Sequence, residues 1–270
     1  MVRDGSSTVT VAPGKLNGTA LADEARRAFE AGADAIRLPL TATSGTDIER
    51  FRADIAAIRD VAPGLAVQAA LDACEAAPAN WRGLALALTG GRDGADVLAL
   101  PVAAIYENGA EEASSFYAWA AHSGIVVQHV VRSVRDMRCL ASLVRTGIVP
   151  EARPQVLVVT GVDEPHGATP YMLDRLLAPL GGLNLDWSVM AHGSLETACL
   201  LHAVERGGKV CVGFEVNRTN ADATQAASSA ERVAEVMMLA GLQPRLDLTR
   251  TAPTAMALDG ETVREAVPVV

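Results

Sequence analysis

The chain alternates short apolar runs with segments of helical periodicity, and this alternation is the strongest signal in the sequence. Eight runs of apolar and β-branched residues predict strands at 8–13, 33–40, 65–71, 95–101, 125–131, 154–161, 183–191 and 209–215. Eight helical patterns are interleaved with them, at 19–31, 46–61, 80–88, 110–123, 134–146, 170–178, 195–206 and 221–240. Eight strand–helix repeats predict a (β/α)8 TIM barrel, and an open doubly wound sheet is the alternative.

Several helix boundaries have a chemical signature. Five helical patterns end at a glycine, a residue that readily adopts the left-handed conformation found just past a helix. These glycines are Gly32, Gly124, Gly147, Gly207 and Gly241. Thr46 and Glu49 have the spacing of a capping box, and Ser194 is expected to cap a helix that begins at Leu195.

Length and composition favour a single barrel domain. The chain has 270 residues, half of them apolar, and a (β/α)8 barrel needs about 250. We find no linker composition, so we expect one domain over 1–270. The stretch 242–270 holds no further strand–helix unit and is expected to be a C-terminal extension that covers the barrel base or packs on a neighbouring subunit.

Charge and cysteine content exclude several functional classes. The formal net charge is −9 and the basic residues are dispersed, which argues against a nucleic-acid or anionic-membrane surface. No apolar run approaches the ~20 residues of a membrane span and no signal peptide is evident, so a cytoplasmic protein is expected. The cysteines are widely spaced, which indicates reduced thiols: Cys74, Cys139, Cys199 and Cys211. Of these, Cys211 is expected to face the barrel interior.

The richest polar cluster follows the last predicted strand. The stretch 207–220 reads GGKVCVGFEVNRTN, and it carries an alternating strand pattern into Glu215, Asn217 and Arg218. Ligands of parallel α/β folds gather at the carboxyl ends of strands, so Glu215 is a candidate catalytic residue. The alternative is a salt-bridged glutamate that closes the barrel rim.

The C-terminal third resembles the β-keto acid cleavage enzyme family, which includes the 3-keto-5-aminohexanoate cleavage enzyme. Across 185–241 the matching positions are Trp187-Ser188-Val189, Gly207-Gly208, Val210, Val212-Gly213, Glu215 and Asn217. The resemblance implies a (β/α)8 barrel that forms homo-oligomers. It also implies zinc, held by an H-x-H pair on the second strand and by the glutamate at position 215, and retro-Claisen cleavage of a β-keto acid with acetyl-CoA.

The sequence departs from this family where the zinc chemistry lies. Arg37 and Pro39 stand where the two histidines are expected, so only Glu215 remains of three ligands. The family's arginine and aspartate near the last strand are Cys211 and Val216 here. The loop after the first strand is shortened to 14–18, and the polar run after the third strand is replaced by 68–72, which begins with Gln68.

These replacements predict a site without zinc. We expect the Arg37 guanidinium to face Glu215 and to occupy the volume that the metal would fill. The alternative is that Arg37 merely neutralises a leftover carboxylate. Arg37 and Glu215 are the predicted catalytic pair, and His192, Asn217, Arg218 and Gln68 are the predicted substrate-binding residues.

The histidines supply further candidates. His192 follows the seventh strand, where a helix N-terminus favours anions. Either Gln128 or His129 must face the barrel lumen, and a satisfied core histidine is the favoured interpretation of His129. A relocated metal site of His129, His192 and Glu215 is an alternative. His166 lies in a loop with Asp163 and Glu164, and His122 and His202 are expected to be structural.

Three functional hypotheses follow. The first is a divergent member of the family that acts on a small keto acid or carboxylate at the barrel mouth, with no cofactor and with Glu215 as general acid or base. The second is a catalytically silent relative that serves as a binding or scaffold subunit. The third is the unchanged zinc-dependent reaction with acyl-CoA.

Overall fold

The structure is a computed structural model that describes residues 9–40, 45–71, 77–162 and 164–243, with 77–81 described by their backbone. Eight parallel strands close into a barrel in the order of the sequence, so the (β/α)8 prediction is confirmed and the open sheet is excluded. The strands are β1 Val9–Val11, β2 Ala35–Pro39, β3 Ala66–Ala70, β4 Val97–Pro101, β5 Val126–Val131, β6 Gln155–Thr160, β7 Asp186–Ala191 and β8 Lys209–Val212.

Helices surround the barrel in the described part of the chain. They are α1 Gly18–Glu30, α2 Gly45–Val61, α3 Ala77–Leu88, α4 Val102–Glu107, α5 Ala110–His122, α6 Val134–Arg145, α7 Pro170–Leu177, α8 Glu196–Glu205 and α9 Ser229–Leu239, and a 3-10 turn Ala178–Leu180 follows α7. None of these helices combines the length and the apolar character needed to span a lipid bilayer.

Strand alternation separates two apolar clusters. One face of each strand packs on the helices, as Ile36 and Leu38 of β2 do. The opposite face lines the barrel lumen with a smaller cluster: Ala12, Ala70, Ala99, Val130, Leu157, Val159, Met190 and Cys211. The expected inward position of Cys211 is therefore confirmed. Alanines at three of these positions leave room for a longer polar side chain from β2 near the mouth.

Most element boundaries follow the predicted chemistry. The five predicted terminal glycines all adopt positive φ, between 63° at Gly241 and 109° at Gly32. The structure also contains a capping box that the sequence analysis missed, in which the Ser133 hydroxyl accepts from the Asp136 amide while the Asp136 carboxylate accepts from the Ser133 amide.

Four boundary predictions are wrong. Thr46 is not an N-cap, because α2 already begins at Gly45, and Ser194 does not cap α8, whose N-cap is Leu195 without a side-chain bond. The predicted last strand runs to 215, whereas β8 ends at Val212. The last helix begins at Ser229 instead of 221, because the intervening residues form turns and the Ser228 side chain caps α9. The short helix α4 was not predicted.

The predicted C-terminal extension lies almost wholly outside the described residues. Leu242 packs against the main core, and the description ends at residue 243. Cys74 and Asp163 lie outside the described residues as well. Cys139, Cys199 and Cys211 are free thiols.

Candidate active site

Arg37 and Glu215 lie side by side at the carboxyl end of the barrel. The Arg37 Nε donates to Glu215 Oε1 over 3.4 Å, although the residues are far apart in the sequence. The predicted pairing of these two side chains is confirmed. The Arg37 side chain is 1% exposed and the Glu215 side chain is 19% exposed. The Glu215 side chain is therefore the more exposed member of the pair, although its Oε2 is buried.

The open side of Glu215 faces a cleft of about 880 Å³ between β1, β8 and the first turns of α1 and α9. Its charged lining is mixed, with Lys15, Arg27 and Arg218 against Asp23, Glu24 and Glu215. The Arg218 guanidinium lies over the Phe214 ring, 4.9 Å from the ring centre. This cleft is large enough for a small organic acid and offers it cations beside a carboxylate.

The end of β8 is bent so that Glu215 turns toward this cleft. Gly213 has φ of 144°, and a Cβ at this position would lie 2.4 Å from the Ala12 carbonyl oxygen. The Glu215 amide still donates to that carbonyl over 3.0 Å, and the Phe214 amide donates to the Ser229 hydroxyl over 3.0 Å. Only glycine permits this close approach of β1 to the end of β8, which is why β8 ends earlier than the sequence pattern predicted.

The Asn217 side chain is used within its own loop. Its Nδ2 donates to the Thr219 carbonyl and its Oδ1 accepts from the Thr219 amide, both over 3.0 Å. Its amide also favours the ionised form of the buried Glu196 carboxyl. Asn217 thus holds the turn that follows Glu215.

His192 lies at the end of β7, the strand next to β8. Burial lowers its pKa, and the positive charges of Arg132 and Arg37 lower it further, so the imidazole is neutral at pH 7. Its carbonyl accepts from the Ala168 amide over 2.7 Å, which fixes the turn after β7 against the loop after β6.

Gln68 lies deeper in the lumen than the cleft. It is in register with Arg37 across β2 and β3, and its Nε2 donates to Gln128 Oε1 over 2.5 Å. Gln68 is 4% exposed. Arg37 therefore rests beside a pair of amide side chains that bridge the barrel interior.

His129 faces away from the lumen, as the favoured interpretation predicted. Its Nδ1 bonds the Gln155 carbonyl oxygen over 2.8 Å, and its Nε2 lies 2.6 Å from the Tyr117 hydroxyl. Since a carbonyl only accepts, Nδ1 carries the proton and the tyrosine donates to Nε2. The relocated metal site of His129, His192 and Glu215 is therefore wrong, because the first ligand lies on the helix side of the sheet.

The remaining histidines lie outside this site. His166 lines a separate cavity of about 470 Å³ between the loops after β6 and β7. His202 on α8 bonds Asp174 over 2.9 Å, which agrees with the structural role expected for it. His122 lies in the last turn of α5.

The described residues do not fit the zinc ion that the sequence resemblance implies. Arg37 at the first histidine position has no lone pair for a metal, and it places a positive charge 3.4 Å from the remaining glutamate. Pro39, at the second position, lines the cleft without a donor side chain. Within 9–40, 45–71, 77–162 and 164–243, no three His, Cys, Asp or Glu side chains come together as a metal site.

Three charged residues near the site were not predicted from the sequence. Lys15 follows β1 and lines the cleft, and Arg132 follows β5 closely enough to lower the pKa of His192. Both stand just past a strand, which is the signal that identified Glu215. Arg232 was missed because nothing in a helical pattern marks a buried arginine.

Fold and site together define a (β/α)8 barrel with its polar site at the carboxyl ends of the strands, the arrangement of barrel enzymes. A profile of the beta-keto acid cleavage enzyme family matches residues 16–245. The chain therefore belongs to the beta-keto acid cleavage enzyme family. Comparison with curated protein sequences finds no match.

Solved structures of other barrel proteins resemble the fold. A 3-dehydroquinate dehydratase from Geobacillus kaustophilus HTA426 is 15% identical with a TM-score of 0.58, over 87% of this chain and 92% of that one. A 3-hexulose-6-phosphate synthase is 21% identical with a TM-score of 0.54, over 84% and 99%. The carboxyl transferase domain of Rhizobium etli pyruvate carboxylase, solved with pyruvate, is 13% identical with a TM-score of 0.57, over 90% and 46%. At these identities the likeness is one of fold.

Proposed function

We propose that this chain is an enzyme that binds a small β-keto acid or related carboxylate in the mouth cleft and acts on it by acid–base chemistry without zinc. The observation that carries the proposal is the Arg37–Glu215 pair, in which the enclosed guanidinium lies 3.4 Å from a carboxylate open to the cleft. Membership of the family supports the choice of a keto acid.

Glu215 is the general acid or base in this proposal. It is the acidic side chain of the cleft that contacts the buried Arg37, and its partial exposure lets it exchange a proton with a bound ligand. Arg37 holds the carboxylate in one orientation and adds a fixed positive charge. Such a charge stabilises the enolate that forms when a keto acid loses a proton or an acyl group from its α-carbon.

Substrate binding is assigned to the cations of the cleft. Arg218, held flat on Phe214, presents a guanidinium suited to a carboxylate, and Lys15 adds a second positive charge. His192 is neutral and can donate or accept a hydrogen bond from the end of β7, next to β8. Gln68 supports the Arg37 side from within the lumen, and Asn217 contributes through its loop.

The more specific part of the proposal is the retro-Claisen reaction, with acyl-CoA as acceptor. In that reaction the bond between the keto carbon and the α-carbon breaks, the acyl group passes to CoA, and the electron pair on the α-carbon forms a bond to the acetyl group of acetyl-CoA, which gives an acyl-CoA and acetoacetate. The cleft volume of about 880 Å³ leaves space for an acceptor beside a small keto acid. Assays should therefore supply keto acids both with and without acetyl-CoA.

The test uses Glu215→Gln, with Glu205→Gln on the exposed end of α8 as the matched control. Binding of acetoacetate and longer β-keto acids is measured by calorimetry, and product formation by mass spectrometry. We expect Glu215→Gln to bind within about threefold of wild type and to lose about 100-fold or more in turnover, because only proton transfer is removed. Glu205→Gln should change neither quantity. Wild-type turnover in Glu215→Gln would rule out the assigned role.

The second candidate is a silent binding subunit, and the same ion pair supports it. A guanidinium in contact with the surviving acid satisfies that carboxylate without any chemistry. This candidate predicts that the wild-type protein binds keto acids without turnover under every acceptor condition, and that Glu215→Gln then behaves like wild type in both measurements.

A further inference from the structure

The mouth cleft lies at the seam where the first and last strands pair and close the barrel. Its walls include the starts of α1 and α9, the helices that follow these two strands. The two helices belong to opposite ends of the chain, so nothing in the local sequence sets the distance between them. The position of the residues at the end of β8 therefore depends on contacts made across the seam.

Glu24 of α1 makes a direct bond across this seam. Its Oε1 accepts from the Ala230 amide, in the first turn of α9, over 2.8 Å, and this bond is buried. Its Oε2 accepts from Arg27 Nη2. A carboxylate on a free amide at a helix N-terminus is held by a charge-assisted bond and by the helix dipole. Glu24 is 3% exposed, and the acid–base chemistry proposed above does not use it.

The first turn of α9 in turn holds the end of β8. Ser229, the residue before Ala230, is 1% exposed, and its hydroxyl accepts from the Phe214 amide over 3.0 Å. Phe214 precedes Glu215 in the chain. Its ring carries the Arg218 guanidinium 4.9 Å from the ring centre. The bond to Ser229 thus fixes the residue that adjoins both side chains assigned to the ligand.

The Arg218 backbone is held from the same end of α9. Its carbonyl oxygen accepts from the Ala226 amide over 2.9 Å and from Gln225 Nε2 over 2.7 Å. Ala226 lies two residues before Ser228, which caps α9. A shift of the start of α9 would therefore move Arg218 through its backbone as well as through its ring contact.

We propose that Glu24 is a positioning residue that holds the start of α9 against α1, and that the Ser229 hydroxyl passes this constraint to the end of β8. Glu215 and Arg218 are thereby kept at the cleft. The step from position to ligand binding rests on the function proposed above, whereas the geometric part does not. A bond between the first and last helices also adds to the stability of the fold, so local positioning is measured against general loosening.

Hydrogen–deuterium exchange of the ligand-free protein tests the bond from Glu24. Glu24→Ala removes the acceptor of the Ala230 amide. We expect the amides of 212–219 to exchange about tenfold faster, while those of β4 and β5 stay unchanged. Glu24→Gln keeps an acceptor oxygen, and the released Arg27 is half-exposed and can be hydrated. This variant should stay within about threefold of wild type.

Glu30→Ala is the matched control on the same helix. It removes a carboxylate from the last turn of α1, where Glu30 is exposed and paired with Arg26. This change keeps the bond across the seam, so exchange of 212–219 should match wild type.

Two neighbouring serines separate positioning from a loss of helix stability. Ser229→Ala removes the acceptor of the Phe214 amide. Ser228→Ala removes the N-cap bond to the Glu231 amide and leaves the bond to Phe214 in place. We expect Ser229→Ala to speed exchange of 212–219 about tenfold, and Ser228→Ala to speed exchange only in the first turn of α9.

The double variant Glu24→Ala/Ser229→Ala tests whether the two bonds form one route. If they are successive steps, breaking the second adds little once the first is broken. Exchange of 212–219 in the double variant should then lie within about twofold of the faster single variant. Rates that multiply would mean that the two residues act separately, and would overturn the route.

Ligand binding provides a second readout. Glu24→Ala and Ser229→Ala should each weaken acetoacetate binding about tenfold, and Glu24→Gln and Glu30→Ala should bind within about threefold of wild type. The positioning proposal is overturned if exchange of 212–219 in Glu24→Ala matches wild type, if it rises equally across the barrel, or if Glu24→Gln behaves like Glu24→Ala. A wild-type protein that binds no keto acid would instead contradict the proposed function, and the exchange measurements would still decide the role of Glu24.

Discussion

Two buried guanidinium–carboxylate pairs lie at the same end of the barrel, one inside the lumen and one between helices. Arg37–Glu215 has side chains 1% and 19% exposed with a contact of 3.4 Å, whereas Arg232–Glu196 has both side chains 0% exposed with a contact of 2.9 Å. The first pair opens on a cleft and the second is closed on all sides. The difference lies in the exposure of the carboxylate side chain, which is partial for Glu215 and zero for Glu196.

The two pairs also differ in how their charges are compensated. The Arg232 guanidinium contacts two carboxylates and the Thr197 hydroxyl, and one of these carboxylates, Glu235, accepts from the Ala221 amide of the loop after β8. The Glu215 side chain reaches the cleft, where it is 19% exposed, although its Oε2 is buried. Loss of one partner should therefore be tolerated in the lumen and poorly tolerated between the helices.

The largest expected effect follows from this asymmetry. Arg232→Met leaves Glu196 buried without its cation and should lower the free energy of unfolding by about 3–5 kcal/mol. Arg37→Met leaves a glutamate whose side chain is partly exposed, and the loss should be roughly 1–3 kcal/mol. Urea unfolding of the two variants beside wild type measures both values.

The same experiment includes a control variant, and one outcome would contradict the prediction. Arg26→Met removes an exposed partner of Glu30 on α1 and should change stability by no more than about 0.5 kcal/mol. Equal losses for Arg37→Met and Arg232→Met would show that exposure of the carboxylate does not distinguish the two pairs.

His129 is also buried, and it avoids the cost of a buried charge by remaining neutral. Burial lowers the pKa of His129 to about 4, below its ordinary value of 6.5. The unfolded chain therefore binds a proton that the folded protein excludes, so stability is complete above pH 6.5 and falls as the pH drops toward 4. The contribution lost across this window is roughly 3 kcal/mol. Urea unfolding at intervals from pH 7.5 to 4 measures it.

His129→Gln supplies the control for that titration. Glutamine presents an amide donor and acceptor but has no proton to gain, so its stability should fall less steeply with decreasing pH, whatever its stability at pH 7.5. Parallel pH profiles for the two proteins would mean that His129 does not titrate in this window.

Much of the fold could be predicted from local sequence patterns. The wrong predictions concern positions that are set by contacts between residues far apart in the sequence. All eight strands were predicted because burial on both faces gives continuous apolar runs. The end of β8 was misplaced because Gly213 must pass close to Ala12, a contact that no local pattern encodes. The start of α9 was misplaced because polar turns and the Ser228 cap occupy residues with helical spacing.

The site was predictable only in part for a similar reason. Arg37 and Glu215 were paired because, in the family that the sequence resembles, side chains at both positions hold the same metal ion. The contact between Arg232 and Glu196 depends on the packing of α8 against α9, which cannot be predicted from a single sequence. The internal bonds of Asn217 depend on the shape of the loop, which follows from the same packing.

The central claim is that the Arg37–Glu215 pair takes the place of zinc, and metal content tests it most directly. Wild-type protein purified with zinc in the medium should carry less than about 0.1 zinc per chain by plasma mass spectrometry, because one carboxylate beside a guanidinium cannot form a first coordination shell. The variant Arg37→His/Pro39→His should approach one zinc per chain. About one zinc per wild-type chain, lost on Glu215→Gln, would contradict the account.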